Sequence, residues 1–455
     1  MKKTLEEIAN WLQVDCGDFG ETVITGVSID TRTIKKGDLF IPFRGEKVNG
    51  HQYVAKAFEN GAAATLWMKD EPNPPSNVPV LFVEDSEIAL QEMARSYRNE
   101  HKAIFIGITG SNGKTSSKDI LASALSPYYK VQKTIGNFNN QLGLPITILS
   151  LDEDTEIAVL EMGMSGFGEI EFLSKLAKPQ YVVITNIGEA HMQDLGSREG
   201  IAKAKFEIIK GLNENGILFY DGDEPLLQNL VGKEPNLNVE SFGFNQENSL
   251  IASNIITTEK GSHFTVRGEL NGEFFIPVLG KHQVKNALNA MLIAKSIGLR
   301  DDQIHFGIEQ AKLTDMRMQL IPTNKNILFI NDAYNAAPTS MAAAIQFIQT
   351  TTMRPEKWLV LGDMLELGDD EKSFHESIAE VINEKEIERV CLFGSRMHWL
   401  YEKLRNKYPN DKLIHTNDDY QQIVQYINQH ANENSLILLK GSRGMKLETI
   451  LESFK

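Results

Sequence analysis

The amino-acid sequence predicts an α/β protein of three domains, on three observations. Its 455 residues suit about three domains at roughly 150 residues each. From residue 101 onward, short apolar runs alternate with helix-periodic segments, the pattern of parallel sheets covered by helices. These runs end in glycine-rich or polar turns, and ligands of such sheets bind outside the carboxyl ends of the strands. The expected order is a small mixed α/β domain over 1–100, a central parallel-sheet domain over 101–316 and a third α/β domain over 317–455.

The first domain mixes short elements. "GDLFIPFRG" (37–45) reads as a strand between turn glycines. "HQYVAKAFENGAAAT" (51–65) reads as a helix ending at Gly61, with Tyr53, Ala57 and Phe58 on one face. "DEPNPPSNVP" (70–79) is a proline-rich loop. In the central domain, strands are expected at "AIFIGIT" (103–109), "IAVLEMG" (157–163) and "YVVITNIG" (181–188). The third domain repeats the rhythm with "ILFIND", "WLVLGDM", "RVCLFGS" and "LILLKGS", which predicts a Rossmann-like sheet. The sequence contains no internal repeat and no low-complexity tract.

The central domain carries "GITGSNGKTSSKD" (107–119). Gly113, Lys114 and Thr115 fit the end of the phosphate-loop pattern G-x-x-x-x-G-K-[ST]. Its first glycine would fall on Ile108, whereas glycines stand at 107 and 110. The context is nonetheless that of a phosphate loop. An apolar strand precedes it, and a helical segment follows with Ile120, Leu121, Ala124 and Leu125 on one face. Backbone N–H groups and a helix N-terminus there would cradle phosphate oxygens. Lys114 would reach the β- and γ-phosphates, and the Thr115 hydroxyl would bind Mg²⁺. The central domain is therefore expected to be P-loop ATPase-like. Glu161 closes "IAVLE", and His191 follows "VVITNIGEA". Parallel strands place both near the ligand edge, but spacing alone fits a cap or a structural histidine as well as a metal ligand.

Composition narrows the class. The formal net charge is −15, which disfavours a broad nucleic-acid or anionic-membrane surface. Cys16 and Cys391 are the only cysteines, so no disulfide framework is expected. Glu6 and Glu7 interrupt any apolar signal core, and the longest charge-free run, 333–353, holds Asn335, Pro338, Gln346 and Gln349. A reducing cytoplasm is the expected location. The guanine-reading N-K-x-D pattern fails at its last position in "NKNI" (324–327).

Over essentially its whole length the sequence resembles the Mur ligases of peptidoglycan synthesis. "TGSNGKTSSKD" is similar to their ATP loop, whose offset glycine matches the anomaly at Ile108. "SIDTRTIKKGDLFIPFRGEKVNGHQYV" is similar to their uridine-nucleotide-binding domain. "NFNNQLGLPIT", "LEMGMSGFGEI", "NIGEAHMQDLGSREGIAKAKFEI", "GKHQVKNALNAM", "NDAYNAAPTSMAAAI", "LGDMLELG" and "KGSRGMKLE" follow in the family's order. These resemble the branch that joins D-alanyl-D-alanine to UDP-N-acetylmuramoyl-tripeptide. The branch that adds the third amino acid usually carries "DNPR" near the C-terminus, which is absent here.

The resemblance implies ATP and Mg²⁺ as cofactors and those two molecules as substrates. It further implies a monomer with no nucleic-acid partner and no stable membrane insertion. Gly110, Ser111, Asn112, Gly113, Lys114, Thr115 and Ser116 would hold the phosphates, Asn286 and Asn289 would contact adenine, and Arg317 and Asp332 would reach the nucleotide. Without the resemblance, Asn286 and Asn289 read as a polar helix face. Thr115, Glu161 and His191 match the metal ligands. Ser28, Asp30, Arg32, Gly45 and His51 mark the UDP region. Asn139 and Asn140 match a segment near the γ-phosphate and the acceptor peptide, and Asn335, Lys440, Ser442 and Arg443 would meet tripeptide or dipeptide. Lys205 falls where the family carries a lysine carbamylated by CO₂, with Lys203 as the second candidate; Lys114, Lys205, His191 and Glu161 form the implied catalytic set.

Two positions depart from the family pattern: Ala337 stands where "NANP" has its second asparagine, and Asn49 replaces an acidic residue. Folylpolyglutamate synthetase shares the chemistry but lacks the "DTRTIKKGDLF" domain. A non-catalytic nucleotide-binding regulator would have no use for Lys114, Glu161, His191 and Lys205 together.

Overall fold

The computed structural model describes residues 1–189 and 191–454. The chain divides into two compact units. The first comprises Met1–Thr109, Tyr128–Val182 and Glu207–Ile217; the second comprises Gly110–Pro127, Val183–Phe206 and everything from Leu218 onward.

In the first unit, Gly26–Ser28, Asp38–Phe40, Ala64–Met68 and Val80–Val83 form a four-stranded parallel sheet in that order. The strand expected within 37–45 is Asp38–Phe40, buried throughout. Beside it, a 3₁₀ turn Gly50–Tyr53 precedes the helix Val54–Glu59. Ala57 faces the core as expected, but Tyr53 is 43% exposed. Its place in the tighter turn, with three residues per turn, takes it off the helical face that the sequence assigned. Further along, Ile104–Thr109 pairs in parallel with Ile157–Glu161, which pairs with Val131–Lys133. The central strand is buried end to end, which suits its continuous apolar run. The register sets Ile108 opposite Glu161 at the carboxyl ends.

The second unit opens with the helix Lys114–Leu125. The expected face of Ile120, Leu121, Ala124 and Leu125 is buried, but so are Thr115, Ser116, Ser117, Lys118 and Asp119. The helix Lys281–Ile297 covers that polar side, and Gly307 of the helix Asp301–Glu309 lies against the Ala124 backbone, where an added Cβ would come within 2.4 Å of its oxygen. Three antiparallel strands, Leu250–Thr258, Gly261–Gly268 and Gly272–Ile276, complete this part.

The last sheet runs in the order Gln319–Pro322, Leu328–Asn331, Ser435–Lys440, Glu356–Gly362, Arg389–Phe393 and Leu413–Thr416. All neighbours are parallel except the first pair. One face packs on Met341, Ile345, Ile378 and Leu400, the other on Ile423, Ile427 and Ile450, so helices cover both sides, as predicted for a Rossmann-like sheet. Asn331, Lys440 and Gly362 end adjacent strands, and the residues after them share one edge. No described helix is long and apolar enough to cross a membrane.

Candidate functional site

In the second unit, Gly110 has φ +148°, and a Cβ there would sit 1.8 Å from Thr185 Oγ1. Gly113 has φ +83°, and a Cβ there would meet Asn286 Oδ1 at 2.7 Å. Both glycines are required by conformation and by space. The loop between them is clamped to residues 185–186. Ser111 N donates to Asn186 O (3.1 Å), Asn112 N donates to Asn186 Oδ1 (2.9 Å), and Thr185 Oγ1 donates to Asn112 O (2.5 Å). Lys114 opens the helix, and its Nζ donates to Gly110 O at 2.8 Å. The Ser111 hydroxyl is buried without a hydrogen-bond partner, the state expected of a donor that faces a ligand oxygen.

Thr115 Oγ1 accepts from Arg317 Nη2 at 3.0 Å, and the guanidinium lies 4.2 Å from the centre of the Tyr334 ring. Ser116 Oγ accepts from Gln283 Nε2 (3.3 Å). A cavity of about 710 Å³ opens beside the loop, with Asn112, Gly113, Thr185, Phe244, His282 and Asn286 in its wall. Asn289 lies behind that wall, fully buried, with Nδ2 donating to Ser117 Oγ (3.0 Å). The polar helix face is thus an interior seam.

Burial separates the two candidate lysines. Lys203 is exposed, whereas Lys205 is 2% exposed. Burial pushes the Lys205 amine well below its ordinary value, and the Lys114 charge adds to the effect. His191, with φ +67°, is pushed down first by burial, then by the charges of Lys205 and Lys114. Burial and the Lys114 charge thus favour the uncharged forms of both groups. Around Lys205, Ile201, Phe206 and Ile208 are buried, while Ile209 is half-buried.

At the edge of the last sheet, Lys440 Nζ donates to Asp332 Oδ2 (2.6 Å) and to Asn335 O (3.1 Å). Asp332 Oδ1 accepts from Met318 N (3.1 Å), so this carboxylate also fixes the chain just after Arg317. Ser442 Oγ accepts from Leu365 N (2.9 Å), and Arg443 pairs with Glu448. Ala337 sits at the N-cap of Pro338–Thr350. Ser340 Oγ accepts from its N–H and donates to its carbonyl, while the alanine offers the helix no side-chain acceptor of the kind an asparagine would supply.

In the first unit, Glu161 is buried, and its Oε1 accepts from Asn139 Nδ2 at 2.9 Å. Its N–H donates to Thr134 Oγ1 (3.0 Å). Asn140 Oδ1 accepts from Leu142 N and Gly143 N, opening the helix Gly143–Leu149. Ser28 Oγ donates to Asp30 O (3.0 Å). The exposed Arg32 forks onto Asp30 and lowers its carboxyl to about 2. Gly45 N donates to Val48 O. His51 is buried, with Nδ1 on Asn49 Oδ1 (2.8 Å) and Nε2 accepting from Met68 N (3.2 Å), so both ring nitrogens serve the fold. Asn49 caps the turn by accepting from His51 N. A second cavity, about 660 Å³, has Ser28, Ile29, Thr33, Phe138 and Ile146 in its wall.

Among the described residues, no three His, Cys, Asp or Glu side chains form a ready-made metal cage. Mg²⁺ does not require one, because it keeps several waters and binds through few protein oxygens plus substrate phosphates. The Thr115 hydroxyl at the mouth of the phosphate-loop helix is an oxygen donor of that kind.

A glycine-bearing loop opening a helix N-terminus, with a lysine and a hydroxyl beside a nucleotide-sized cavity, defines a phosphate-loop nucleotide-binding α/β protein. Comparison with known proteins takes this further. Family models match in chain order: "Mur ligase family, catalytic domain" over residues 23–98, "Mur ligase middle domain" over 108–294 and "Mur ligase, glutamate ligase domain" over 316–443. The UDP-N-acetylmuramoyl-tripeptide–D-alanyl-D-alanine ligase of Bacillus subtilis is 46% identical over 99% of this chain and 98% of its own. A crystal structure of MurF from Acinetobacter baumannii superposes with a TM-score of 0.89 at 28% identity, over 99% of this chain and 98% of that one. The MurF ligase from Thermotoga maritima, solved in complex with ADP, gives 0.82 at 28% identity, over 94% and 96%. The chain belongs to the Mur ligase family.

Proposed function

We propose that this chain is an ADP-forming ligase that joins D-alanyl-D-alanine to UDP-N-acetylmuramoyl-tripeptide in the cytoplasmic synthesis of peptidoglycan precursors. The observation that carries the reading is the Gly110–Gly113 loop opening the Lys114–Thr115 helix N-terminus beside the cavity, with the buried Lys205 near enough to feel the Lys114 charge. Full-length similarity to ligases of that name supports the substrate assignment. The N-terminal domain, 1–100, takes the UDP end; the central domain, 101–316, takes ATP; and the C-terminal domain, 317–455, takes the dipeptide. The working form is a monomer.

The chemistry follows from the substrates. A carboxylate is a poor electrophile until one of its oxygens becomes part of a leaving group. An oxygen of the tripeptide's terminal carboxylate attacks the γ-phosphorus of ATP, and the bond to the β-phosphate oxygen breaks to release ADP. The dipeptide's free amine attacks the resulting acyl phosphate, the tetrahedral adduct expels phosphate, and the amine's proton leaves to solvent.

The chain's part is positioning and charge. Loop N–H groups and Ser111 Oγ hold phosphate oxygens, and Lys114 neutralises charge on the transferring group. Gly110, Asn112, Gly113 and Ser116 shape that cradle, and Asn286 meets the base in the cavity with Asn289 fixing its helix from behind. Arg317 and Asp332 reach the nucleotide from the third domain. Thr115 and His191 would hold Mg²⁺, with Glu161 assigned to it by the family motif; when bound, the ion neutralises phosphate charge. Burial shifts Lys205 toward the neutral amine that can capture CO₂ as a carbamate, whose two oxygens suit a cation that an ammonium would repel. Ser28, Asp30, Arg32, Gly45 and His51 shape the UDP region. Asn139, Asn140, Asn335, Lys440, Ser442 and Arg443 serve the acceptor peptide and the dipeptide. A phosphate-release assay tests the reading: turnover should require both the UDP-tripeptide and D-alanyl-D-alanine. Full-rate ATP cleavage without the dipeptide would contradict it.

A further inference from the structure

Arg317 stands on a short strap, residues 312–318, that is tied at both ends. Upstream, Asp119 Oδ2 accepts from Thr314 N (2.8 Å) and from Thr314 Oγ1 (2.7 Å), and Lys312 N donates to Ser123 Oγ (3.2 Å). Downstream, Met318 N donates to Asp332 Oδ1 (3.1 Å). Between the ties, Met316 and Met318 adopt φ +63° and +52°, a region that non-glycine residues enter only where the surroundings hold them. Arg317 therefore sits between two strained neighbours, with its guanidinium on Thr115 Oγ1 and over Tyr334.

Asp119 is fully buried on the phosphate-loop helix, beside the buried Lys118, whose Nζ lies 3.9 Å from its Oδ1. It is one helical turn beyond Thr115. Helix geometry puts residues i and i+4 on one face, so the same face that presents the Thr115 hydroxyl presents the carboxylate that anchors the strap. We propose that Asp119 is a positioning residue for nucleotide binding: by accepting both Thr314 bonds it holds the strap in register with the phosphate loop, and so holds Arg317 over Thr115. The carboxylate is well suited to this, since one oxygen accepts two donors from one residue and fixes both its backbone and its side chain. This inference rests on the nucleotide reading proposed above.

The test is a double-mutant cycle read as affinity for a non-hydrolysable ATP analogue with Mg²⁺, measured by calorimetry on the full chain without other substrates. Thr314→Val removes one of the two bonds at nearly constant volume, and Asp119→Asn removes the charge while leaving one carbonyl acceptor. Each should weaken the analogue by roughly ten- to a hundredfold, the range expected for one charge-assisted hydrogen bond. In an Arg317→Ala background, neither should weaken it further, because Asp119 acts through that arginine. A merely structural role would give effects that add in the two backgrounds. Additive effects, or unchanged affinity in both single variants, overturn the inference alone. No binding by the unsubstituted chain overturns the nucleotide reading and this inference with it.

Discussion

Arg317 Nη2 donates to Thr115 Oγ1 at 3.0 Å, joining residues 202 positions apart. The bond links the mouth of the phosphate-loop helix to the start of the Rossmann-like domain. It engages the hydroxyl that a phosphate-loop metal site uses. Thr115→Ser keeps that hydroxyl and should retain most activity. Thr115→Val should lower kcat by roughly 10²-fold or more, in line with losing a fixed group that stabilises transition-state charge. Equal activity of the two variants in steady-state kinetics would remove Thr115 from the site.

Lys114→Ala should lower turnover by about 10³-fold or more, as expected when a main charge stabiliser of phosphoryl transfer is lost. Phosphate release under saturating substrates measures it, and a loss under tenfold would exclude the assigned role.

Lys205→Ala should be nearly inactive and Lys203→Ala mild, because only Lys205 is buried. If the lysine works as a carbamate, acetate or formate should partly restore the Lys205 variant by supplying two oxygens. Full activity of Lys205→Ala in CO₂-free buffer would show that no carbamate is needed.

His375 gives a pH prediction independent of substrates. It is fully buried, its Nε2 accepts from Met364 N (3.0 Å), and its Nδ1 lies on Glu371 O. Burial pushes its pKa below the ordinary value. The unfolded chain then binds this proton more readily than the folded one, so the stability contribution is present above about pH 6.5 and is lost as pH falls through the folded value. Thermal melts of His375→Gln, which can keep both bonds, should lose less Tm than the unsubstituted chain between pH 7.5 and 5. An identical acid-side drop would contradict this.

The parts of the site legible in the sequence are those whose neighbours are local. The phosphate loop declares itself through the apolar strand before it and the helix after it, despite the displaced glycine. The sheet rhythm of the third domain is equally local, because buried parallel strands are continuous apolar runs. Periodicity could not choose between Lys203 and Lys205, since both lie on one short helix and tertiary packing decides which is enclosed; only the family resemblance favoured Lys205. Without the resemblance, Asn286 and Asn289 read only as a polar helix face for the same reason: the helix that covers them lies more than 160 positions earlier, and Asn289 meets Ser117 across 172 residues. Asp119 and Thr314, 195 apart, left no periodic or motif signal at all.

Activation of the tripeptide's carboxylate as an acyl phosphate would leave an isotopic record in the products. The most direct measurement labels both oxygens of that carboxylate with ¹⁸O and follows the label by mass spectrometry of the released phosphate during synthesis with D-alanyl-D-alanine. Each phosphate formed should carry a single ¹⁸O, because the oxygen that attacked phosphorus departs with it. Phosphate free of label, with both labelled oxygens retained on the unligated peptide while ATP is cleaved, would contradict it.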